Sequence, residues 1–261
     1  MLWRSSKTAH DQKSPTLADA EAAVARGDID TALAVWGPLA QAGSARAQAE
    51  IGRCFIEGRG VARDPALALQ WLTLAARGDD PLGQRLLGDF YFNGEEGTPN
   101  RAIAEEWYAR AAKQGEPHAQ DMLSWLLIES EHRKPDYAAA REWALKAAAQ
   151  SIPSSMTRLG LLYNNALGVE RDPIAAATWW RKAAMLGDAD AQAMLGAAYH
   201  IGGGVPRDAV TALAWLTRAH RAQSKFADHF YFAVRDACSD AQRSEAERRA
   251  NAPLSSEGEG P

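Results

Sequence analysis

Three consecutive glycines, Gly202-Gly203-Gly204, stand just ahead of a helix-start signal at Asp208. Glycine-rich backbone running into a helix N-terminus is a common way of cradling phosphate. The surrounding residues argue against that chemistry. No strand pattern precedes the triplet, no Gly-Lys-Ser/Thr follows it, and Asp208 puts a carboxylate where the anion would have to sit. The six histidines, His10, His118, His132, His200, His220 and His229, show no paired metal-ligand spacing. They read as solvated or lining side chains, with His220 packed at a junction where the corresponding positions hold alanine. Cys54 and Cys238 are the only cysteines; far apart along the chain, they read as small buried hydrophobes without a disulfide. No catalytic residue, cofactor site or metal site is expected.

What must position any functional residue is a repeat. Trp71, Trp107, Trp143, Trp179 and Trp215 recur at a constant step of 36, and so do Gly52, Gly88, Ser124, Gly160 and Gly196. Asp64, Asn100, Asp136, Asp172 and Asp208 keep the same step, as do the alanine columns that begin at Ala68 and Ala75. Five columns in register over five copies mean stacked supersecondary units.

Within a unit, Ala47, Ile51, Gly52 and Phe55 lie at helical spacing and predict a first helix, A, that ends near Gly58-Arg59-Gly60. Asp64-Pro65 reads as an N-cap with proline at the first helical position. Ala68, Trp71, Leu72 and Ala75 then mark the buried stripe of a second helix, B. The unit is an antiparallel helical hairpin. Gly52 lets the two backbones approach, and the tryptophan ladder is expected to fill the core beside it, which excludes it as a row of ligand-stacking rings.

The run AxxxLGxxYxxGxGVxxDxxxAxxWxxxAAxxG, met almost completely by residues 188–220, resembles the Sel1-like repeat, a relative of the tetratricopeptide repeat, over roughly residues 17–237. The third copy departs from the pattern, with Ser124 for the helix A glycine and no glycine in the loop 129–135. The resemblance implies an all-α, right-handed superhelical solenoid. It also implies a non-catalytic scaffold or adaptor that binds a protein or an extended peptide, in bacterial-type signalling, envelope regulation, secretion or quality control. A dedicated neutralising partner of a toxin or effector is the alternative. Some cysteine-rich proteins of that type are linked to penicillin binding or hydrolysis, a weaker alternative here because no lysine has serine three residues before it and the cysteine framework is absent.

Along the chain, residues 1–15 read as a disordered leader, about 16–43 as an N-terminal capping hairpin, about 44–223 as five full repeats, about 224–250 as C-terminal capping helices, and 251–261 as a disordered tail. Residues 16–250 are expected to form one solenoid, because each repeat contacts its neighbours. In the first hairpin the tryptophan, Trp36, is displaced by one position from the ladder; in the last, Phe232 occupies the glycine column. Both Ser239 with Gln242 and Ser244 with Glu247 fit a capping box for the final helix. The charge balance of 29 Lys plus Arg against 33 Asp plus Glu gives no field to attract nucleic acid or anionic lipid. No segment is apolar over a membrane-spanning length and no signal peptide is read at the start, so a cytoplasmic location is expected.

The face of each A helix opposite its packed stripe differs completely from copy to copy, whereas the packed columns scarcely change. A copy-specific surface on a constant scaffold is a binding surface. On it, Phe92, Trp125, Ile128 and Leu161 are expected to form an apolar centre, with Arg85, Asp89, Asp121 and Asn165 as a polar surround.

Overall fold

The computed structural model describes residues 15–129 and 134–254, and among them the secondary structure is helical throughout. Residues 1–14 of the expected leader and 255–261 of the expected tail, like 130–133 of the loop 129–135, lie outside the described residues. The helices are α1 (Leu17–Ala25), α2 (Ile29–Gln41), α3 (Ala45–Glu57), α4 (Pro65–Arg77), α5 (Pro81–Asn93), α6 (Arg101–Lys113), α7 (Pro117–Ile128), α8 (Tyr137–Ala149), α9 (Pro153–Asn164), α10 (Pro173–Met185), α11 (Ala189–Ile201), α12 (Ala209–Arg221), α13 (Lys225–Ala237) and α14 (Asp240–Asn251). They group into two compact units, Met1–Trp107 and Tyr108–Pro261.

The acidic or amide column caps every B helix of the five repeats. Side-chain oxygens of Asp64, Asn100, Asp136, Asp172 and Asp208 accept from the backbone N–H three residues on, at 3.0, 3.1, 3.0, 2.9 and 3.1 Å. Each satisfies one of the donors that a helix start leaves unpaired. At the last helix, Ser239 rather than Ser244 makes the capping box: its hydroxyl accepts from Gln242 N at 3.3 Å, while Gln242 Oε1 accepts from Ser239 N at 2.9 Å.

Packing within a hairpin differs from the expectation in one respect. The tryptophan ladder is not the core column. Trp71, Trp107, Trp143 and Trp179 are half-buried, and the last two carry an ammonium over the ring, Lys146 Nζ at 3.9 Å and Lys182 Nζ at 4.4 Å from the centroid. The residue that follows each of them is the one turned fully inward. Trp36, Leu72, Tyr108, Ala144, Trp180 and Leu216 share the step of 36 and are all buried, so Trp36 is in register with this inner column rather than displaced from the outer one. A Cβ built on Gly52 would stand 2.7 Å from Leu72, on Gly160 2.2 Å from the Trp180 indole, and on Gly196 2.7 Å from Leu216. Where helix A has Ser124, the inner residue is the small Ala144, and the serine hydroxyl donates to the Ala140 carbonyl at 2.8 Å. Size is traded across the crossing.

Two further columns stack one hairpin on the next. Buried Gln48, Gln84, Gln120 and Gln192 donate from Nε2 to the carbonyl eight residues earlier, at the end of the preceding B helix, at 3.0, 3.5, 3.2 and 3.2 Å. The loop glycines Gly60, Gly168 and Gly204 take φ of +69°, +68° and +79°. A Cβ on them would meet Ile29 at 2.7 Å, Tyr137 at 2.7 Å and the Pro173 carbonyl at 2.0 Å, each at the N-terminus of the preceding B helix. The array closes differently. Phe232, in the glycine column, is 47% exposed, and a ring there forbids the close approach of a B helix. Instead α14 lies on α12, where Arg249 reaches Thr211 Oγ1 at 3.1 Å and Ala246 joins Leu213, Leu216 and Val234 in one apolar cluster. Leu254 packs on the cluster that contains Trp215, the one ladder tryptophan that is fully buried.

Candidate functional site

Gly204, His220, Cys54 and Cys238, singled out in the sequence, are each held in packing contacts. Gly204 is pressed against the start of α10, so the last glycine of the triplet stacks one repeat on the next. His220 is half-buried and stacks on Tyr231, with centroids 4.3 Å apart and planes 10° from parallel, and its Nδ1 lies 3.0 Å from Asp228 Oδ1. No group of three or more His, Cys, Asp or Glu side chains among the described residues could hold a metal ion. Cys54 and Cys238 are both free and buried, and burial pushes both thiols up from their ordinary range, away from the reactive thiolate.

Four of the eight residues expected on the variable face come together in the C-terminal unit. Trp125 and Ile128 from α7, Leu161 from α9 and Asn165 just beyond it line a groove of about 400 Å3. The N-terminus of α11 contributes Asp188 and Asp190 to one flank, and Glu129 stands at the end of α7. Trp125, Ile128 and Leu161 are half-buried. They project sideways from A helices because the inward positions, Leu123, Ser124, Leu126, Leu159, Gly160 and Leu162, are taken up by packing on the B helices.

Asp121 has another job. Its carboxylate accepts from Ser154 Oγ at 2.8 Å, Ser155 Oγ at 2.5 Å and Arg158 NH1 at 2.6 Å, tying α7 to α9 beside the groove. Burial pushes this carboxyl up, but the charge of the Arg158 guanidinium and the hydrogen bonds from Ser155, Arg158 and Ser154 outweigh it and hold it below the usual carboxylate range. A depressed folded-state pKa gives stability that is fully present above the unfolded value of about 3.9 and is lost as pH falls through the folded value. Asp121→Asn is therefore expected to cost about 1.5–3 kcal/mol at neutral pH. Thermal melts from pH 7 to pH 2 should show the difference between the variant and the parent shrinking below about pH 4. A difference that persists at pH 2 would mean that the ion pair is not its source.

The other three expected residues belong to the N-terminal unit. Arg85 and Asp89 pair across one turn of α5 and, with Arg53 and Ile56 of α3 and Asn93, line a groove of about 250 Å3. Phe92 lies under the Arg101 guanidinium, 5.9 Å from ring centroid to Cζ, at the start of α6. Asp190 is one of the variable-face positions that the sequence offers outside the eight expected residues, whereas the contribution of Asp188 to the α7–α9 groove was missed in the sequence. Asp188 is legible only as the cap of α11, whose backbone N–H of Ala191 it accepts at 2.7 Å, and nothing local says that a helix start of the next repeat flanks this groove.

Stacked helical hairpins with a size-matched A–B crossing and a variable outer face on the A helices define a helical repeat protein. The Sel1 repeat model matches residues 45–80, 81–116, 117–152, 153–188 and 189–222, and the chain belongs to the Sel1 repeat family. Sel1 repeats generally serve as non-catalytic scaffolds for protein–protein interaction. Among solved structures, the chain is similar to a protective antigen of uropathogenic Escherichia coli strains displaying an SLR fold, with 30% identity and a TM-score of 0.82 over 90% of this chain. The chain spans only 51% of the length of that protein. A Sel1 repeat protein from Oxalobacter formigenes shares 27% identity with a TM-score of 0.69, over 79% of this chain and 85% of the other. No curated protein sequence matches the chain. No helix among the described residues is long and apolar enough to cross a membrane.

Proposed function

We propose that the protein is a non-catalytic scaffold or adaptor that holds a protein or an extended peptide in the groove between α7 and α9. The observation that carries this reading is the half-buried apolar set Trp125, Ile128 and Leu161, which lines a groove whose flanks are polar. Aromatic and aliphatic anchors inside a polar rim are what protein interfaces use, because the rim keeps water from the anchors. The groove rests on a rigid frame, since Asp121, Ser155 and Arg158 lock α7 to α9, and a preformed groove loses little entropy on binding. In the N-terminal unit, the groove at Arg85 and Asp89 is a smaller surface of the same origin. This is a reading for a cytoplasmic protein, in keeping with two buried thiols that form no disulfide.

Trp125→Ala is expected to weaken capture of the partner from native lysate by about 2 kcal/mol or more, as hot-spot aromatics do. Because Trp125 is only half-buried, it should cost much less stability than an inner-column truncation. Phe92→Ala is the comparison variant. Binding lost only in proportion to unfolding, or lost equally in the two variants, would contradict the assignment of the groove.

A further inference from the structure

The groove has a sign as well as an apolar floor. The one arginine among its described lining residues, Arg158, is committed to Asp121 at 2.6 Å, and both side chains are largely buried. Three carboxylates are left along the flanks, Glu129, Asp188 and Asp190, none of them in an ion pair among the described residues. Asp188 Oδ1 accepts from Ala191 N at 2.7 Å and from Thr157 Oγ1 at 3.0 Å, and Asp190 Oδ1 accepts from Ser224 Oγ at 2.7 Å. The Oδ2 atom of each has no such partner among the described residues. Asp188 and Asp190 also border a second groove, of about 630 Å3, that opens toward Phe226, Lys225 and His229 of α13. The two grooves therefore meet at this carboxylate pair, with the apolar floor of Trp125, Ile128 and Leu161 on one side and the exposed Phe226 ring on the other. Lys225, on the far side of the pair, forms no ion pair with either carboxylate and leaves the α7–α9 groove itself without an uncommitted cation among the described residues.

We infer that the occupant of this groove is a basic-apolar protein segment. An aliphatic or aromatic side chain of the segment seats on Trp125 and Leu161, and a neighbouring Lys or Arg is held at Asp188 and Asp190. The inference rests on the reading of the groove as the binding surface and adds the chemistry of the partner. Charge complementarity carries it: an acidic segment would bring like charges against Glu129, Asp188 and Asp190 in a groove with no uncommitted cation among its described lining residues, which costs far more than a modest rim attraction gains. The chain also chooses the direction of approach, since a segment anchored at Trp125 that runs toward α13 must cross the carboxylate pair.

Selection of short random peptides displayed on phage against the intact chain tests it. Peptides that combine a large apolar residue with nearby Lys or Arg should be enriched about tenfold over those that combine it with Asp or Glu, and the preference should weaken as salt is raised. Glu129→Gln with Asp190→Asn removes two charges, while the side-chain amide introduced by the second change keeps an oxygen for the Ser224 hydroxyl. In this double variant, which keeps Asp188, the preference should fall well below that of the parent; an unchanged preference would overturn the inference. Trp125→Ala should abolish the enrichment altogether, with circular dichroism melts verifying that both variants fold. Peptides that need Trp125 but show no basic preference, or an acidic one, would overturn the inference while leaving the groove as the binding surface. Enrichment that is indifferent to Trp125→Ala would overturn the groove assignment itself.

Discussion

Trp180→Ala is expected to lower the stability of the C-terminal unit by about 3–5 kcal/mol, the usual cost of truncating a buried aromatic. Trp180 is 4% exposed, its indole fills the space left by Gly160, and its Nε1 donates to the Thr157 carbonyl at 3.3 Å. Truncation would open a cavity between α9 and α10 and remove the indole bond to that carbonyl. Trp143→Ala, in the outer ladder, should cost less, about 1–2 kcal/mol, because the ring is only partly buried and the Lys146 contact adds a small cation–π term. Denaturant titration of both variants measures the difference. Equal losses would mean that the outer ladder is core after all. Since contacts in a repeat array lie between nearest neighbours, Trp180→Ala should also broaden the unfolding transition.

Gly204→Ala is expected to cost about 2–5 kcal/mol, from two sources. The left-handed backbone, with φ of +79°, disfavours any side chain by about 1–2 kcal/mol. The added methyl would also stand 2.0 Å from the Pro173 carbonyl, an overlap that only a shift of the loop away from α10 can relieve, at about 1–3 kcal/mol. Two other glycines give the controls. Gly203→Ala meets nothing closer than 3.4 Å and should fall within about 0.5 kcal/mol of the parent, as surface changes do. Gly187→Ala has φ of +89° but open space around it and should show the backbone cost alone. Thermal or urea unfolding of the three variants separates strain from packing. A Gly204→Ala variant no worse than Gly187→Ala would remove the stacking role assigned to the loop.

The single chain determined a good deal about itself. A step of 36 shared by Trp71, Gly52 and Asp64 with their successors is enough to define helical hairpins, because a cap, a close crossing and a buried stripe each impose a residue type at a fixed place in the helix period. The caps stand where the Asp and Asn column puts them. The face on which Trp125, Ile128 and Leu161 share a groove was legible for the same reason, since positions opposite a packed stripe cannot themselves be packed within the hairpin.

Which tryptophans are core was decided by tertiary structure. The outer ladder keeps its residue type yet is only partly buried in four of its five members, whereas the inner column reads Trp36, Leu72, Tyr108, Ala144, Trp180 and Leu216 and is buried throughout. No constant residue marks that column because each member is sized to its own crossing, as Ala144 is to Ser124 and Trp180 to Gly160. One position, or about 100° around a helix, separates the two columns, and both fall within the apolar stripe that periodicity can resolve. The gathering of Asp188 and Asp190 beside Trp125, and the commitment of Asp121 to Arg158, were likewise beyond the sequence. They depend on where one hairpin lies against the next, a distance fixed by the buried glutamine bonds and loop glycines that stack the repeats.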